Sequence, residues 1–567
     1  MLGLRPARSH AISVVCLSLV LGAVAWAQPA PTTNASQPSY LKASPEDIQW
    51  WRELKFGLFI HWGPVSIKGT EIGWSRGGER RGTGGKGEIP VEVYDNLYKE
   101  FNPVQFNADE WLQVAKDAGM RYMVFTSKHH DGFSMFDSQL TDYKITNSPF
   151  KRDVVKELAD ACHKAGLRLG YYYSPVDWHH PDYRTATHQK YIEYMHGQLR
   201  EICSNYGQID IIWFDGLGGT AKDWDSENLF PMLRRLQPHV ILNNRAGLPA
   251  DHDTPEQQIG SFQRDRPWET CMTICQQWAW KPNDRMKSLK ECLQTLVRVV
   301  GGDGNLLFNV GPMPDGRIEP RQVDRLREMG QWLSKYGESI YGTRGGPFKT
   351  TAALASTYKG NTIYVHVLDW SGDTITLPGL PKKVTDSSLL TGGTVSIRQT
   401  QDAIEISVPP QNRQEIDTIV KLTLDGPAGE IAPLVLPSAS LAAGKKAKAS
   451  NVYQGMSEHG PAKAFDDDTG TRWATDSGVK QAWLEVDLGK PATFGKVAIG
   501  EAYDRVRKFE LQYKEGDAWK TFLEGKRIGD EYAKDFSPVT AQVVRLNILE
   551  ATDGPTIWEF QLLASKR

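Results

Sequence analysis

The side chains in this sequence with the chemistry to act together are His61, His129, His130, Trp178, Asp215 and Arg245, each following a strand-like apolar run. Glu71 and Trp74 from a glycine-rich stretch, and Glu256 and Glu269 downstream, complete the set. Carboxylates among histidines and aromatic rings suit cleavage of a glycosidic bond. One ionised carboxylate attacks the anomeric carbon, and another, kept protonated by its surroundings, gives its proton to the leaving oxygen. Arg245 beside Asp215 would hold that carboxylate ionised. His129, His130 and Asp131 are the alternative, a metal centre. Adjacent residues on a strand point to opposite faces, so the two histidines are not expected to share an ion, and no metal is assigned. Neutral imidazoles around a hydroxyl-rich ligand fit better.

These residues need a scaffold that gathers strand ends. Ile209-Asp-Ile-Ile-Trp-Phe-Asp-Gly216 reads as a buried parallel strand delivering Asp215 to the carboxyl end of a sheet. Phe56 to Ile60 leads into His61, Tyr122 to Lys128 into His129, Leu167 to Ser174 toward Trp178, and Val240 to Asn244 into Arg245; Asn305 to Val310 is a further strand. Helical spacing separates them over Asp47–Leu54, Ala108–Ala118, Val154–Ala165, His188–Tyr206, Asn228–Leu236, Ser288–Val300 and Pro320–Tyr336. The alternation predicts a (β/α)8-like barrel over residues 45–342, with chemistry at the carboxyl ends of its strands. An open doubly wound sheet is the competing fold, but no glycine-rich dinucleotide loop follows any strand. Gly69 to Gly87 is read as a long loop of the kind that is functional or disordered.

Beyond Gly342 the apolar pattern alternates, predicting a small antiparallel β domain over 343–427, a Pro- and Ala-rich linker over 428–441 and a β-sandwich over 442–567. The chain of 567 residues has a net charge of -2, which argues against a polyanionic partner such as nucleic acid. Arg5 and Arg8, the apolar run Ala11 to Val24 and Ala25-Trp26-Ala27 form a secretory signal over residues 1–27, followed by a disordered leader over 28–44. A secreted or periplasmic protein with no membrane span is expected. The cysteines left after cleavage, Cys162, Cys203, Cys271, Cys275 and Cys292, are too sparse for a disulfide framework.

Phe56-Gly-Leu-Phe-Ile-His-Trp-Gly63, Thr126-Ser-Lys-His-His-Asp-Gly-Phe133, Ile212-Trp-Phe-Asp-Gly216, Pro267-Trp-Glu-Thr-Cys-Met-Thr-Ile274 and Gly304-Asn-Leu-Leu-Phe-Asn-Val-Gly-Pro312 closely resemble the α-L-fucosidases of glycoside hydrolase family 29. The resemblance implies a retaining exo-hydrolase that removes terminal α-L-fucose from oligosaccharides or glycoconjugates through a covalent fucosyl-enzyme, with no catalytic cofactor. It implies Asp215 as nucleophile, His61, His129 and His130 as donors to the sugar hydroxyls, and Glu71 and Trp74 near those hydroxyls. Tyr173 resembles the tyrosine beside the nucleophile, with Tyr171 on the same face as fallback. Arg245 resembles an arginine near the reactive centre, and Trp280 is expected to line a pocket for the fucose methyl group. The general acid is implied at Glu256, favoured for the spacing of Asp215, Arg245 and Glu256, or at Glu269 in the Trp-Glu-x-Cys signature. Lys463-Ala-Phe-Asp-Asp-Asp-Thr-Gly-Thr-Arg-Trp-Ala-Thr475 and Trp483-Leu-Glu-Val-Asp-Leu-Gly489 resemble the coagulation factor 5/8 type C, discoidin-like domain. That implies a jelly-roll often used for carbohydrate binding, with a structural Ca²⁺ to be tested at Asp466 to Thr471. A sugar-binding protein that lacks the chemistry, or a glycosidase acting on another 6-deoxy or galacto-configured sugar, are the alternative readings.

Overall fold

In a computed structural model, residues 39–564 are described, except 371, 439, 469, 470 and 530. The signal, residues 1–27, and most of the leader lie outside the described residues. The end of that leader is ordered: Leu41 is buried, and the Ala43 amide donates to Asp251 Oδ1 at 2.6 Å.

Seven parallel strands, β1 (Phe56–Ile60), β2 (Tyr122–Lys128), β3 (Arg168–Tyr173), β4 (Ile211–Phe214), β5 (Ile241–Leu242), β6 (Glu269–Thr273) and β7 (Asn305–Val310), pair in the order β5-β4-β3-β2-β1-β7-β6. The gap between β5 and β6 is closed by His252 to Glu256, which bridges Asn243 on one side and Trp268 and Cys271 on the other. This irregular stretch is the eighth stave. β5 is shorter than its apolar run predicts because Asn243 turns inward: its side chain accepts from Phe214 N at 2.8 Å and donates to Phe214 O at 2.9 Å, replacing the ladder. Helices wrap the sheet where the sequence places them. Val154–Ala165 is capped by the Asp153 side chain and stopped by Gly166 at φ 66°, and Leu289–Gly301 starts with a Ser288/Glu291 capping box.

The alternation of strand side chains divides the core in two. Phe59, Tyr122, Val124, Tyr172, Ile211, Trp213, Ile241, Cys271 and Leu307 fill the barrel interior, with Trp51 of the first helix among them. Leu58, Met123, Phe125, Tyr171, Tyr173, Ile212, Phe214 and Phe308 pack outward on the helices. Gly57 is needed where the Tyr122 ring crosses β1, since a β-carbon there would lie 2.3 Å from the ring.

The small domain has a five-stranded and a three-stranded antiparallel sheet around Ile363, Val365, Ile404, Ile406 and Val420. The expected linker belongs in part to this domain: Ala428 and Ile431 are buried in its core, and Leu434 bridges Phe348. The C-terminal module is antiparallel throughout. Its two 20-residue strands, Ala482–Glu501 and Tyr532–Ala551, shift register between Asp487 and Ala492 and between Phe494 and Lys496, and wrap one core of Trp473, Leu484, Val497, Phe509, Leu546 and Phe560.

Candidate active site

Because all the barrel strands run parallel, their carboxyl ends meet at one end, and Asp215 stands there directly after β4. The Tyr172 hydroxyl donates to its Oδ2 at 3.1 Å, Arg245 Nη1 donates to its Oδ1 at 3.1 Å, and His130 Nε2 lies 3.5 Å from Oδ2. Burial raises the pKa of this carboxyl, but Arg245, His130 and the hydrogen bonds outweigh it and leave it below the usual aspartate value. Arg245 is fixed in turn by Thr254, whose Oγ1 and main-chain oxygen accept from it at 2.8 Å each. The same Nη1 that meets Asp215 donates to Glu256 Oε2 at 2.7 Å. The separation of those two carboxylate oxygens cannot exceed the sum of the two contacts. A cavity of about 390 Å³ opens here, lined by Asp215, Leu217, Asn244, Arg245, Thr254 and Glu256.

Three imidazoles cluster on the Tyr172 side of Asp215, with His130 against its carboxylate. Asn309, at the end of β7, donates to Trp278 O at 2.7 Å, which orients its Oδ1 to accept from His61 Nδ1 at 2.7 Å. His130 Nδ1 is tied to Ser174 Oγ at 2.6 Å, and the His129 ring stacks on Tyr172 at 5.4 Å, 8° from parallel. Burial pushes His61 and His130 down to about 4 and His129 well below the ordinary value, so all three are neutral at ordinary pH. The His129 and His130 rings lie 4.1 Å apart, contrary to the expectation that they face opposite ways. β2 shifts register between Thr126 and Lys128 and then ends, so the strict alternation no longer applies to the two histidines. Among the described residues, no group of three or more His, Cys, Asp and Glu side chains is arranged to hold a metal.

Several expected residues occupy other places. Tyr173 donates to Gln198 Oε1 at 2.8 Å and Tyr171 to Val155 O at 2.9 Å, both on the helix side; Tyr172 is the tyrosine on Asp215. Tyr172 pairs in register with Trp213, which alternation places on the same face as Asp215. Glu269 is not brought to the pocket. It is the first residue of β6, 1% exposed, and accepts from the Tyr122 hydroxyl at 2.5 Å and from Trp213 Nε1 at 3.0 Å inside the barrel. Glu71 accepts from the amides of Trp278 and Ala279, each at 2.9 Å, and so pins the loop that carries them. Trp278 packs on His61 at 4.8 Å between ring centres, whereas Trp280 lies against Gly69 and Gly311. Trp74 meets His130 and Trp178 edge to face at 5.7 and 5.2 Å, with the Arg80 guanidinium over both indoles. Tyr172, Trp278 and Asn309 are the site residues missed in the sequence. Asn309 lies within a quoted motif, and register against Asp215 was the signal for Tyr172.

Residues 25–338 match the family model described as alpha-L-fucosidase, and residues 446–560 the F5/8 type C domain. The chain is 31% identical over 376 residues to the plasma alpha-L-fucosidase of Homo sapiens, covering 59% of this chain and 79% of that protein. Among solved structures, alpha-L-fucosidase isoenzyme 1 from Paenibacillus thiaminolyticus superposes with a TM-score of 0.61 at 37% identity, over 67% of this chain and 99% of that one. A family 29 alpha-L-fucosidase from Bacteroides thetaiotaomicron, trapped as a covalent intermediate with 2-fluoro-fucosyl fluoride, gives 0.62 at 26% identity, over 68% and 97%.

Proposed function

The chain belongs to the alpha-L-fucosidase family and is an exo-acting glycoside hydrolase that releases terminal α-L-fucose, and on that premise we propose how its residues divide the work. Asp215 is the nucleophile. Held ionised by Arg245, it attacks the anomeric carbon, forming an Oδ–C1 bond as the C1–O bond to the aglycone breaks. Glu256 gives its proton to the departing oxygen. In the second half-reaction Glu256 takes a proton from water, whose oxygen displaces Asp215 from C1 and releases fucose with its configuration retained. The observation that carries this assignment is the single Arg245 nitrogen shared by Asp215 and Glu256. Bridging by one nitrogen brings an oxygen of each carboxylate close together, as the ~5 Å spacing of a retaining pair requires.

His61, His129 and His130 face the sugar hydroxyls as neutral rings. His61 gives its Nδ1 proton to Asn309, so its Nε2 accepts from a hydroxyl rather than donating to one. Trp278 takes the wall position expected of Trp280. The deciding experiment is hydrolysis of an aryl α-L-fucoside by wild type, Glu256→Ala and Glu269→Ala, each with and without azide. Recovery as α-fucosyl azide, the product of two inversions, in Glu256→Ala alone establishes the acid/base; recovery in Glu269→Ala alone transfers the role.

Export with loss of residues 1–27 and action on fucosylated oligosaccharides or glycoconjugates, with the C-terminal module as a carbohydrate-binding aid, belong to the same reading. Among the described residues no helix is long and apolar enough to cross a membrane. A structural Ca²⁺ near Asp466 stays part of the reading although the described carboxylates there form no metal-binding group by themselves; its support is Glu559 Oε1, unpartnered among the described residues. A melting temperature unchanged by chelation removes it.

A further inference from the structure

We propose that Glu269 is a positioning residue for the nucleophile, acting through the indole of Trp213. The Asp215 carboxylate is held by Tyr172 and Arg245, and both rest on one ring: Tyr172 stacks on Trp213 at 5.6 Å, 18° from parallel, and the Arg245 guanidinium lies 4.8 Å over the same indole. Trp213 has one polar atom, Nε1, and Glu269 Oε1 accepts from it at 3.0 Å. The other carboxylate oxygen is clamped by Tyr122 at 2.5 Å, and Tyr122 is seated over Gly57. His252 Nε2 stands 3.9 Å from Oε1. The tilt of the indole, and with it both donors on Asp215, is therefore set from inside the barrel by a carboxylate that never meets substrate. A geometry held by a hydrogen-bonded support is what a nucleophile needs, since small displacements of reacting groups are costly in rate.

The inference rests on Asp215 being the nucleophile, and the test separates the two. In 2-fluoro-fucosyl fluoride the C1–F bond breaks as Asp215 bonds to C1, and fluoride departs unprotonated, so Glu256 stays outside the measurement. Adduct formation is followed by intact-mass spectrometry and located by peptide mapping. In wild type the label falls on Asp215; no label, or a label elsewhere, sinks the nucleophile assignment and leaves the role of Glu269 without a basis. With that label in place, Glu269→Leu, which removes the acceptor for Trp213 Nε1, is expected to form it at least about tenfold more slowly while keeping its circular dichroism. Trp213→Phe slows it comparably, and the double variant is no slower than Trp213→Phe alone, because both changes remove one interaction. Labelling by Glu269→Leu within about twofold of wild type, or a double variant whose loss is the product of the two, overturns the proposal. Should Glu269→Leu not fold, Tyr122→Phe, which leaves the Trp213 contact, must label faster than Trp213→Phe; equal rates overturn it.

Discussion

Asp215 and Glu269 are carboxylates on the same interior face of one barrel, the first half-buried at the cavity and the second fully buried, and they differ in the company they keep. Asp215, at the mouth, has a guanidinium and an imidazole against it and is held below its usual pKa despite burial. Glu269, in the interior, is bonded only by a phenol and an indole; burial prevails over them and pushes it up to about 7. The magnitudes explain the split. A formal charge at contact is worth about 4 kcal/mol at an effective dielectric constant near 20, whereas a hydrogen bond from a neutral donor to a charged group nets ~1.5–3 kcal/mol. What separates the two pKa values is the nearby cation, not burial, which acts on both.

The contrast is most directly broken at its working end. Asp215→Ala should lose activity by roughly 10⁴-fold or more with its fold intact, as expected for removal of a covalent nucleophile; near-normal turnover would put both carboxylates in supporting roles. Arg245→Leu should cost on the order of 10²–10³-fold in kcat/KM, the scale of losing one preorganised charge contact. It should also displace the acid limb of the pH profile. Without the cation burial acts alone, the pKa of Asp215 rises, and activity that needs the ionised form is lost at a higher pH as pH falls. An unmoved acid limb would mean that something other than Arg245 keeps Asp215 ionised.

Tyr172→Phe should slow the enzyme by roughly 10–100-fold, the value of a hydrogen bond to a charged group, while Tyr173→Phe stays within about twofold. The reverse result would mean that β3 is out of register by one residue. Glu269→Gln sharpens the other half of the comparison through stability. A carboxyl raised from 4.5 to about 7 contributes most below its unfolded value, and that contribution is lost as pH rises from about 4.5 to about 7. The melting-temperature deficit of Glu269→Gln should therefore shrink between pH 5 and pH 8, and a constant deficit would show that Glu269 is ionised throughout. The smallest effect is expected from truncation after Pro437, which spares the small domain: kcat on a soluble aryl fucoside should stay within about twofold, since the barrel carries its own core. The contact at risk is the Ser261 hydroxyl to Asp468 Oδ1 at 3.1 Å, and a large loss would show that the module supports the segment after Glu256.

What could be read in the sequence followed from runs long enough to fix their own direction. The apolar stretch before Asp215 has one reading, and the helices are marked by caps such as Asp153 and Ser288. Tyr171-Tyr-Tyr173 has no alternation of its own, so its inward residue is chosen only by pairing with Trp213. Trp278 and Trp280 are two apart in a loop without regular structure, and their placement depends on Glu71, some two hundred residues away. The His252 to Glu256 stave has no apolar run at all. Glu269 stands out by its motif, but the motif is silent about the depth at which its carboxylate sits.

That eighth stave has a consequence for how the enzyme can vary. Seven staves are laced by continuous ladders, whereas His252 to Glu256 is attached by isolated bridges at three residues. Segments with few shared hydrogen bonds are those that open at least cost. Glu256, the proposed proton donor, thus rides on the seam of the barrel and Asp215, the proposed nucleophile, follows one of its welded staves. Selection can lengthen, shorten or replace the seam to suit a new leaving group without unsettling the cylinder that holds Asp215.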